Sequence, residues 1–288
     1  MGGNIFNNTS NIEKDLIKET INSFFDELEL LGIKKINYTI VGSAGKKETS
    51  GDIDLGIDTS EILKLKSLFS NKDFIIIYDK YKKRSRTASD SQIITRSILT
   101  LLANKINKSN KIQVSNKITS SHMFFNAPQF NNNKRVQIDW IVGDIKWIKF
   151  SSYSKDYADK TIKGLHRTQL ILSIFNYYGY SFNHNIGVKN TMTGEIVASN
   201  PNEVLALLQE IFCDRINKEI LNDYELLYKC INDEILDIFI KILDRTRCDI
   251  PTNIQDYWLS NQSRLGLTGK FLPPNSKIYS YLSNNIVK

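Results

Sequence analysis

The sequence lacks the patterns on which disulfide frameworks, zinc sites and membrane spans depend. Its three cysteines (Cys213, Cys230 and Cys248) are odd in number and form no C-x-x-C pair, so we predict reduced thiols in a cytoplasmic protein. The three histidines form no spaced metal-ligand pattern. No apolar run is long enough to span a membrane, and the first eight residues lack a signal-peptide core. The chain also contains no G-x-S-x-G or Walker motif, so no motif favours a serine hydrolase or a P-loop enzyme.

The chain does contain the composition of a soluble globular protein and an uneven distribution of charge. Its 288 residues, 41% hydrophobic and 24% charged, are enough for one large or two modest domains. Twelve Lys or Arg and a single acid lie between Lys80 and Arg135. The net charge of this interval is therefore larger than that of the whole chain, which is +7. Such a concentration is typical of surfaces that bind polyphosphate or nucleic acid, with a solvated loop as the alternative. Its densest part, here called the basic cluster, consists of Lys82, Lys83, Arg84 and Arg86.

Two aspartates alternate with apolar residues in the segment Asp52–Ile57. This period of two predicts a half-buried strand, in which Asp52 and Asp54 project from one face, about 6.6 Å apart along the strand. Ile53, Leu55 and Ile57 then point into a core. Adjacent carboxylates repel each other and offer only oxygen acceptors, so the pair predicts a site for a hard cation such as Mg²⁺.

A polar, glycine-containing loop separates this strand from the apolar run Thr39–Val41. Gly42 lets the backbone approach a ligand closely, Ser43 offers a hydroxyl, and Lys46 and Lys47 offer positive charge. These residue types in this order indicate a binding site for a triphosphate.

A second alternating segment, Arg135–Val142, places Asp139 among strong β-formers. Its even-numbered residues are apolar and form one face, while Arg135, Gln137 and Asp139 form the other. A buried acid in such a strand needs a partner or a metal. The alternative is an exposed edge residue that pairs with a lysine.

The loop and first aspartate pair resemble a known signature. Gly42-Ser43, eight residues and then Asp52-Ile53-Asp54 match the pattern of the DNA polymerase β-like nucleotidyltransferase superfamily. Within it, K-E-T-S-G-D-I-D-L (Lys47–Leu55) looks most like the family X DNA polymerases, whose motif commonly reads G-S-x-R-R-x-x-E-T-x-G-D-I-D. The alternative is an ordinary hairpin with a polar edge strand and no functional site.

The resemblance implies transfer of a nucleoside monophosphate from a nucleoside triphosphate to the 3′-hydroxyl of a nucleic acid, with release of pyrophosphate. The cofactor would be two Mg²⁺ ions, with Mn²⁺ as a substitute, and the family pattern makes Asp139 the third ligand beside Asp52 and Asp54. Two other functions stay open: nucleotidylation of a protein or small molecule, and nucleic-acid binding by a degenerate site. The residues assigned to the triphosphate are Gly42, Ser43, Lys46, Lys47 and Gly51.

The resemblance also implies an α+β fold with three parts. Residues 1–149 would form a palm, a mixed β-sheet flanked by helices, with a basic insertion at 59–134. Residues 150–212 would form a smaller α/β thumb, and residues 213–288 a helical and loop-rich extension. Only one predicted helix precedes the catalytic strand, where family X polymerases usually carry a lyase domain, and Tyr153 replaces the glycine of their aromatic-T-G-S element. We therefore expect a single-stranded 3′ end to be accepted with weak dependence on a template.

Periodicity and capping signals predict the remaining elements. Ser10 and Glu13 form a capping-box pattern at the start of the first helix, and Asn200-Pro201 marks the start of a later one. We predict helices at 11–31, 60–69, 90–106, 157–178 and 221–244, strands at 36–41, 74–78, 112–114 and 122–125, and a loop-rich tail from 249.

Overall fold

A computed structural model describes residues 5–159, 161–183, 186–246 and 250–260 of the chain. The chain divides into two compact units, the first ending at Phe150 and the second beginning at Ser151. Both units mix helices and strands, so the α+β class is confirmed. Within the described ranges, every helix is too short or too polar to cross a bilayer.

The first unit is built on a mixed five-stranded sheet. Its strands, in spatial order, are β2 (Thr39–Val41), β4 (Asp52–Asp58), β7 (Arg135–Gly143), β6 (His122–Pro128) and β5 (Gln113–Val114). The two central strands, β4 and β7, run parallel, and the other neighbours in this sheet are antiparallel. Strands β1 and β3 pair separately. The elements of this unit are β1 Ile12–Glu13, α1 Ile17–Leu30, β2 Thr39–Val41, β3 Thr49–Ser50, β4 Asp52–Asp58, α2 Thr59–Lys64, α3 Asn71–Arg84, α4 Asp90–Ile106, β5 Gln113–Val114, β6 His122–Pro128, β7 Arg135–Gly143 and α5 Ile145–Ser151.

One face of this sheet forms the hydrophobic core. Ile53, Leu55 and Ile57 of β4 are fully buried, as the alternation predicted. Helix α1 contributes Phe24 and Phe25, whose ring centroids lie 6.3 and 6.4 Å from that of Trp140 on β7. Helix α4 adds Ile98, Leu99 and Leu102 to the same core. Since side chains alternate along a strand, the aspartates of β4 and β7 project from the opposite face.

The predicted start of the first helix is wrong. Residues 11–16 do not begin a helix, because Glu13 pairs with Thr49 in the β1–β3 ladder and Ser10 donates its amide to Arg135 O at 2.8 Å. A short 3-10 turn follows, and α1 starts at Ile17. The capping-box pattern is therefore overridden by pairing with distant strands.

The predicted strand at 74–78 is also wrong, because these residues lie inside α3. Ser70 caps this helix by accepting the amide of Asp73 at 3.1 Å, and it continues to Arg84. Phe74 is buried, whereas Ile75 and Ile76 are 53% and 57% exposed. A continuous apolar run had suggested a buried strand, but the apolar contacts follow helical spacing.

The second unit combines helices with a three-stranded antiparallel sheet, whose spatial order is β10 (Ile196–Ala198), β9 (Gly187–Asn190) and β8 (Tyr180–Asn183). Asn200 caps α7 through its side chain and Pro201 is its first residue, which confirms the predicted helix start. The predicted helix at 157–178 begins only at Gly164, and the one at 221–244 is divided into three. The elements are α6 Gly164–Tyr177, β8 Tyr180–Asn183, β9 Gly187–Asn190, β10 Ile196–Ala198, α7 Pro201–Ile211, α8 Lys218–Asn222, α9 Tyr224–Tyr228, α10 Asp233–Thr246 and α11 Thr252–Ser260.

The tail predicted to be rich in loops contains α11, so that prediction is wrong for residues 252–260. Its remainder, from residue 261, lies outside the described residues.

Candidate metal centre

The two central strands bring three predicted carboxylates together. In the parallel pairing of β4 with β7, Asp54 is the direct neighbour of Asp139, and Asp52 is the neighbour of Gln137. Paired residues share a face, so all three carboxyl groups converge, and an oxygen from each lies within 4.8 Å of the others. The alternative of an exposed edge residue is wrong, since β7 is an inner strand and Asp139 is only 5% exposed.

Burial and mutual repulsion make this carboxylate group electrostatically unfavourable by itself. The pKa of Asp139 is raised to about 7, chiefly by burial and in part by the charge of Asp52, against hydrogen bonding from Gln137 that lowers it. Burial also raises the pKa of Asp54 well above its ordinary value, with added repulsion from Asp52 and Asp139. A divalent cation bound between these oxygens would relieve both effects.

The donor set fits Mg²⁺ or Mn²⁺. It consists of carboxylate oxygens alone, which hard divalent cations prefer, and it contains no thiolate or imidazole to favour a softer metal. Three carboxylates at this spacing could hold two such ions, which together would supply two-metal activation of a phosphoryl-transfer reaction.

Gln137 is a residue whose role the sequence analysis missed. Its side-chain Nε2 donates to both oxygens of Asp139, at 2.8 and 3.1 Å, and its Oε1 accepts the amide of Ile5 at 3.0 Å. The side chain is 1% exposed and holds the carboxylate in one orientation. Gln137 lies two residues from Asp139 in a predicted strand, so both side chains project from the same face. That spacing was the signal in the sequence for a contact between them.

Gly42 is packed directly on this carboxylate group. It follows Val41, which pairs with Asp54 across β2 and β4, and its φ of 70° lies in the left-handed region. A Cβ on Gly42 would overlap Asp54 Oδ2 and lie 3.3 Å from Asp54 Cγ. Glycine is therefore required here by contact with a carboxylate as well as by backbone conformation.

The other residues assigned to the triphosphate lie around this contact. The loop turns tightly, with the amide of Lys46 donating to Ser43 O at 3.1 Å. The Lys46 side chain is exposed, yet partial burial of its ammonium group lowers its pKa. Lys47 is half-buried. Gly51 has an ordinary φ, and the nearest atom to a Cβ there is Asn11 Oδ1 at 3.8 Å, so nothing steric requires glycine at that position.

The structure does not bring the basic cluster to the carboxylates. The first three residues of the basic cluster form the last turn of α3, where positive charge is favourable next to the C-terminal carbonyls. Helix α3 packs on α4, for example through Tyr81 Oη and Thr100 Oγ1 at 3.0 Å, and α4 covers the apolar face of the sheet. The basic cluster therefore lies on the side opposite to the carboxylates, and Lys82 forms an ion pair with Asp90.

No protein-family model matches the chain, and no curated protein matches its sequence. The geometry of the carboxylates and of the loop beside them is what supports a function.

Proposed function

We propose that the protein is a Mg²⁺-dependent nucleotidyltransferase that transfers a nucleoside monophosphate from a nucleoside triphosphate to the 3′-hydroxyl of a nucleic acid. The observation that carries this proposal is the convergence of Asp52, Asp54 and Asp139 within 4.8 Å, beside a glycine loop packed on one of them. Residues 1–149 would be the palm and residues 150–212 a thumb, as in family X DNA polymerases.

The carboxylates would bind the metal ions, and the loop would bind the phosphates of the nucleoside triphosphate. Asp52 and Asp54 would hold both metal ions, and Asp139, oriented by Gln137, would hold the ion nearest the acceptor. When bound, the ions supply activation of the hydroxyl and neutralisation of the triphosphate. Ser43, Lys46 and Lys47 would bind the β- and γ-phosphates, with the backbone at Gly42.

The reaction balances without another reactant. The 3′-oxygen of the acceptor forms a bond to the α-phosphorus and loses its proton to solvent. The bond between that phosphorus and the bridging oxygen of the β-phosphate breaks, and pyrophosphate leaves. Positive charge from the two loop lysines offsets the charge that develops on the departing pyrophosphate.

A second candidate is nucleotidylation of a protein or a small molecule. It is favoured by the position of the basic cluster on α3, away from the carboxylates, because that position leaves the face around Asp139 without this source of charge for a nucleic-acid backbone.

The test is a transfer assay with Mg²⁺ and each labelled dNTP and NTP. The acceptors are a single-stranded DNA primer, the same primer annealed across a short gap, and RNA. We expect extension of the single strand with weak dependence on a template. Complementary incorporation on the gapped duplex alone would contradict that expectation, and labelling of protein without any extension would favour the second candidate.

Single Asp→Asn variants test the metal centre itself. Asn keeps the size of Asp52, Asp54 or Asp139 but removes the charge that the ions need, so each variant should lose transfer while its melting temperature stays unchanged or rises. Asp58→Asn is the matched control, since Asp58 lies on the same strand, outside the carboxylate group, and Asn can keep its cap on Ser60 N. Near-normal turnover by Asp139→Asn would remove Asp139 from the ligand set.

A further inference from the structure

Two aromatic rings lie on the same sheet face as the metal centre. In the antiparallel pairing of β6 with β7, Phe124 is the direct neighbour of Asp139 and His122 is the neighbour of Ile141. Their rings are parallel within 14°, with centroids 6.0 Å apart. Both residues are half-buried, whereas Met123 and Phe125, which alternate with them, are fully buried in the core. The exposed part of this pair therefore contributes to the site face.

The order of strands places this pair and the glycine loop on opposite sides of the carboxylates. The loop follows β2, the carboxylates lie on β4 and β7, and the rings lie on β6. At about 4.8 Å between neighbouring strands, the loop and the rings are roughly 14 Å apart, enough for the triphosphate on one side and an acceptor on the other. Phe124 adjoins Asp139, the carboxylate on the acceptor side.

Asp54, Asp139 and Phe124 form a row across the sheet, and other groups occupy the sheet face on both sides of this row. Towards the start of β7, the N-terminal segment crosses it, with Ile5 N bound to Gln137 and Asn8 Oδ1 accepting from Asn126 Nδ2 at 2.7 Å. In the other direction along β4, Ile145 and Ile148 of α5 pack on Gly56. The row formed by Asp54, Asp139 and Phe124 lies between these two covers.

We propose that the His122–Phe124 pair stacks the terminal base of the acceptor strand and so positions its 3′-hydroxyl at Asp139. This rests on the function proposed above and adds to it how the acceptor is held. A flat ring binds any base through its π face, so the pair would favour a terminal base without reading its identity. A sequence-tolerant contact of this kind agrees with weak dependence on a template.

The experiment compares Phe124→Leu, which keeps apolar bulk but removes the π face, with the conservative Phe124→Trp. Each protein is offered a primer with a normal 3′-terminal base and the same primer with an abasic 3′ terminus. For wild type, the abasic primer should raise the acceptor KM about tenfold or more, the size of one base–aromatic stack. Phe124→Leu should lose this discrimination and Phe124→Trp should retain it, while the KM for the nucleoside triphosphate does not move.

A binding measurement without triphosphate separates this inference from the proposed function. A primer that carries 2-aminopurine at its 3′ end should lose fluorescence on binding to wild type and to Phe124→Trp, because stacking quenches the probe, and should keep it with Phe124→Leu. Thermal melting checks that both variants are folded. Unquenched binding to wild type, or continued discrimination by Phe124→Leu, would overturn the stacking role. Quenching without transfer to any acceptor would contradict the proposed function and leave the stacking contact standing.

Discussion

Replacing Gly42 and Gly45 separately with alanine gives a sharp test of the contact between the loop and the metal centre. Both glycines have nearly the same left-handed backbone, with φ of 70° and 75°. They differ in their surroundings, since a Cβ on Gly42 overlaps Asp54 Oδ2 whereas a Cβ on Gly45 meets nothing within 4 Å. Gly45→Ala is therefore a matched control for the backbone strain.

Backbone strain and the overlap with Asp54 affect different measured quantities. An alanine in the left-handed region costs about 1–2 kcal/mol, which should lower the melting temperature of either variant by a few degrees, at about 2–4 °C per kcal/mol. In Gly42→Ala, the Asp54 carboxylate must also move by roughly 1 Å to restore van der Waals contact. A misplacement of that size in a catalytic centre can lower turnover by about 100-fold.

The assays are thermal melting, Mn²⁺ titration by calorimetry and nucleotidyl transfer. We expect both variants to be destabilised by the backbone strain, with weaker metal binding and slower transfer in Gly42→Ala alone. Gly51→Ala adds a third comparison, since it carries neither strain nor a clash, and slower transfer there would indicate contact with the nucleotide. Equal activity of Gly42→Ala and Gly45→Ala would refute the role assigned to the contact with Asp54.

Two further outcomes follow from the charges of the first unit. The pKa of Asp139 is about 7 in the metal-free fold against an ordinary value of 3.8, so the folded state binds more protons than the unfolded state between these values. Stability without metal should therefore fall as the pH rises from about 4 to 7, by up to roughly 4 kcal/mol. Melting temperatures with EDTA and with Mg²⁺ should diverge above pH 7 and coincide near pH 5, and a constant difference would contradict the assignment. Because the basic cluster lies away from the carboxylates, replacing Lys82, Lys83, Arg84 and Arg86 together with alanine should leave the log–log salt dependence of single-strand binding unchanged. A slope flattened by about 0.7 per lost contact would show that the cluster does bind the strand.

The sequence predicts those parts of the site that depend on local alternation. Asp52 and Asp54 could be placed on one face because a strand fixes the direction of each side chain, and the same reasoning gave the buried face of β7. The wrong helix start and the missed role of Gln137 occur where distant segments decide the structure. Glu13 lies in a strand because Thr49 pairs with it, and the orientation of Gln137 depends on Ile5 as well as on Asp139. Neither partner can be read from periodicity.

The parallel pairing of β4 with β7 has a consequence for how the protein is made. Asp54 and Asp139 are neighbours in space but about 85 residues apart in the chain, with α2 to α4 and two strands between them. A ribosome releases Asp52 and Asp54 long before their partner, so the nascent chain carries a repelling acid pair with an incomplete ligand set. Parallel pairing between strands of such high sequence separation is intrinsically slow to form. The three carboxylates can therefore converge only after β7 has left the exit tunnel, and a metal ion bound there would indicate that β4 and β7 have paired.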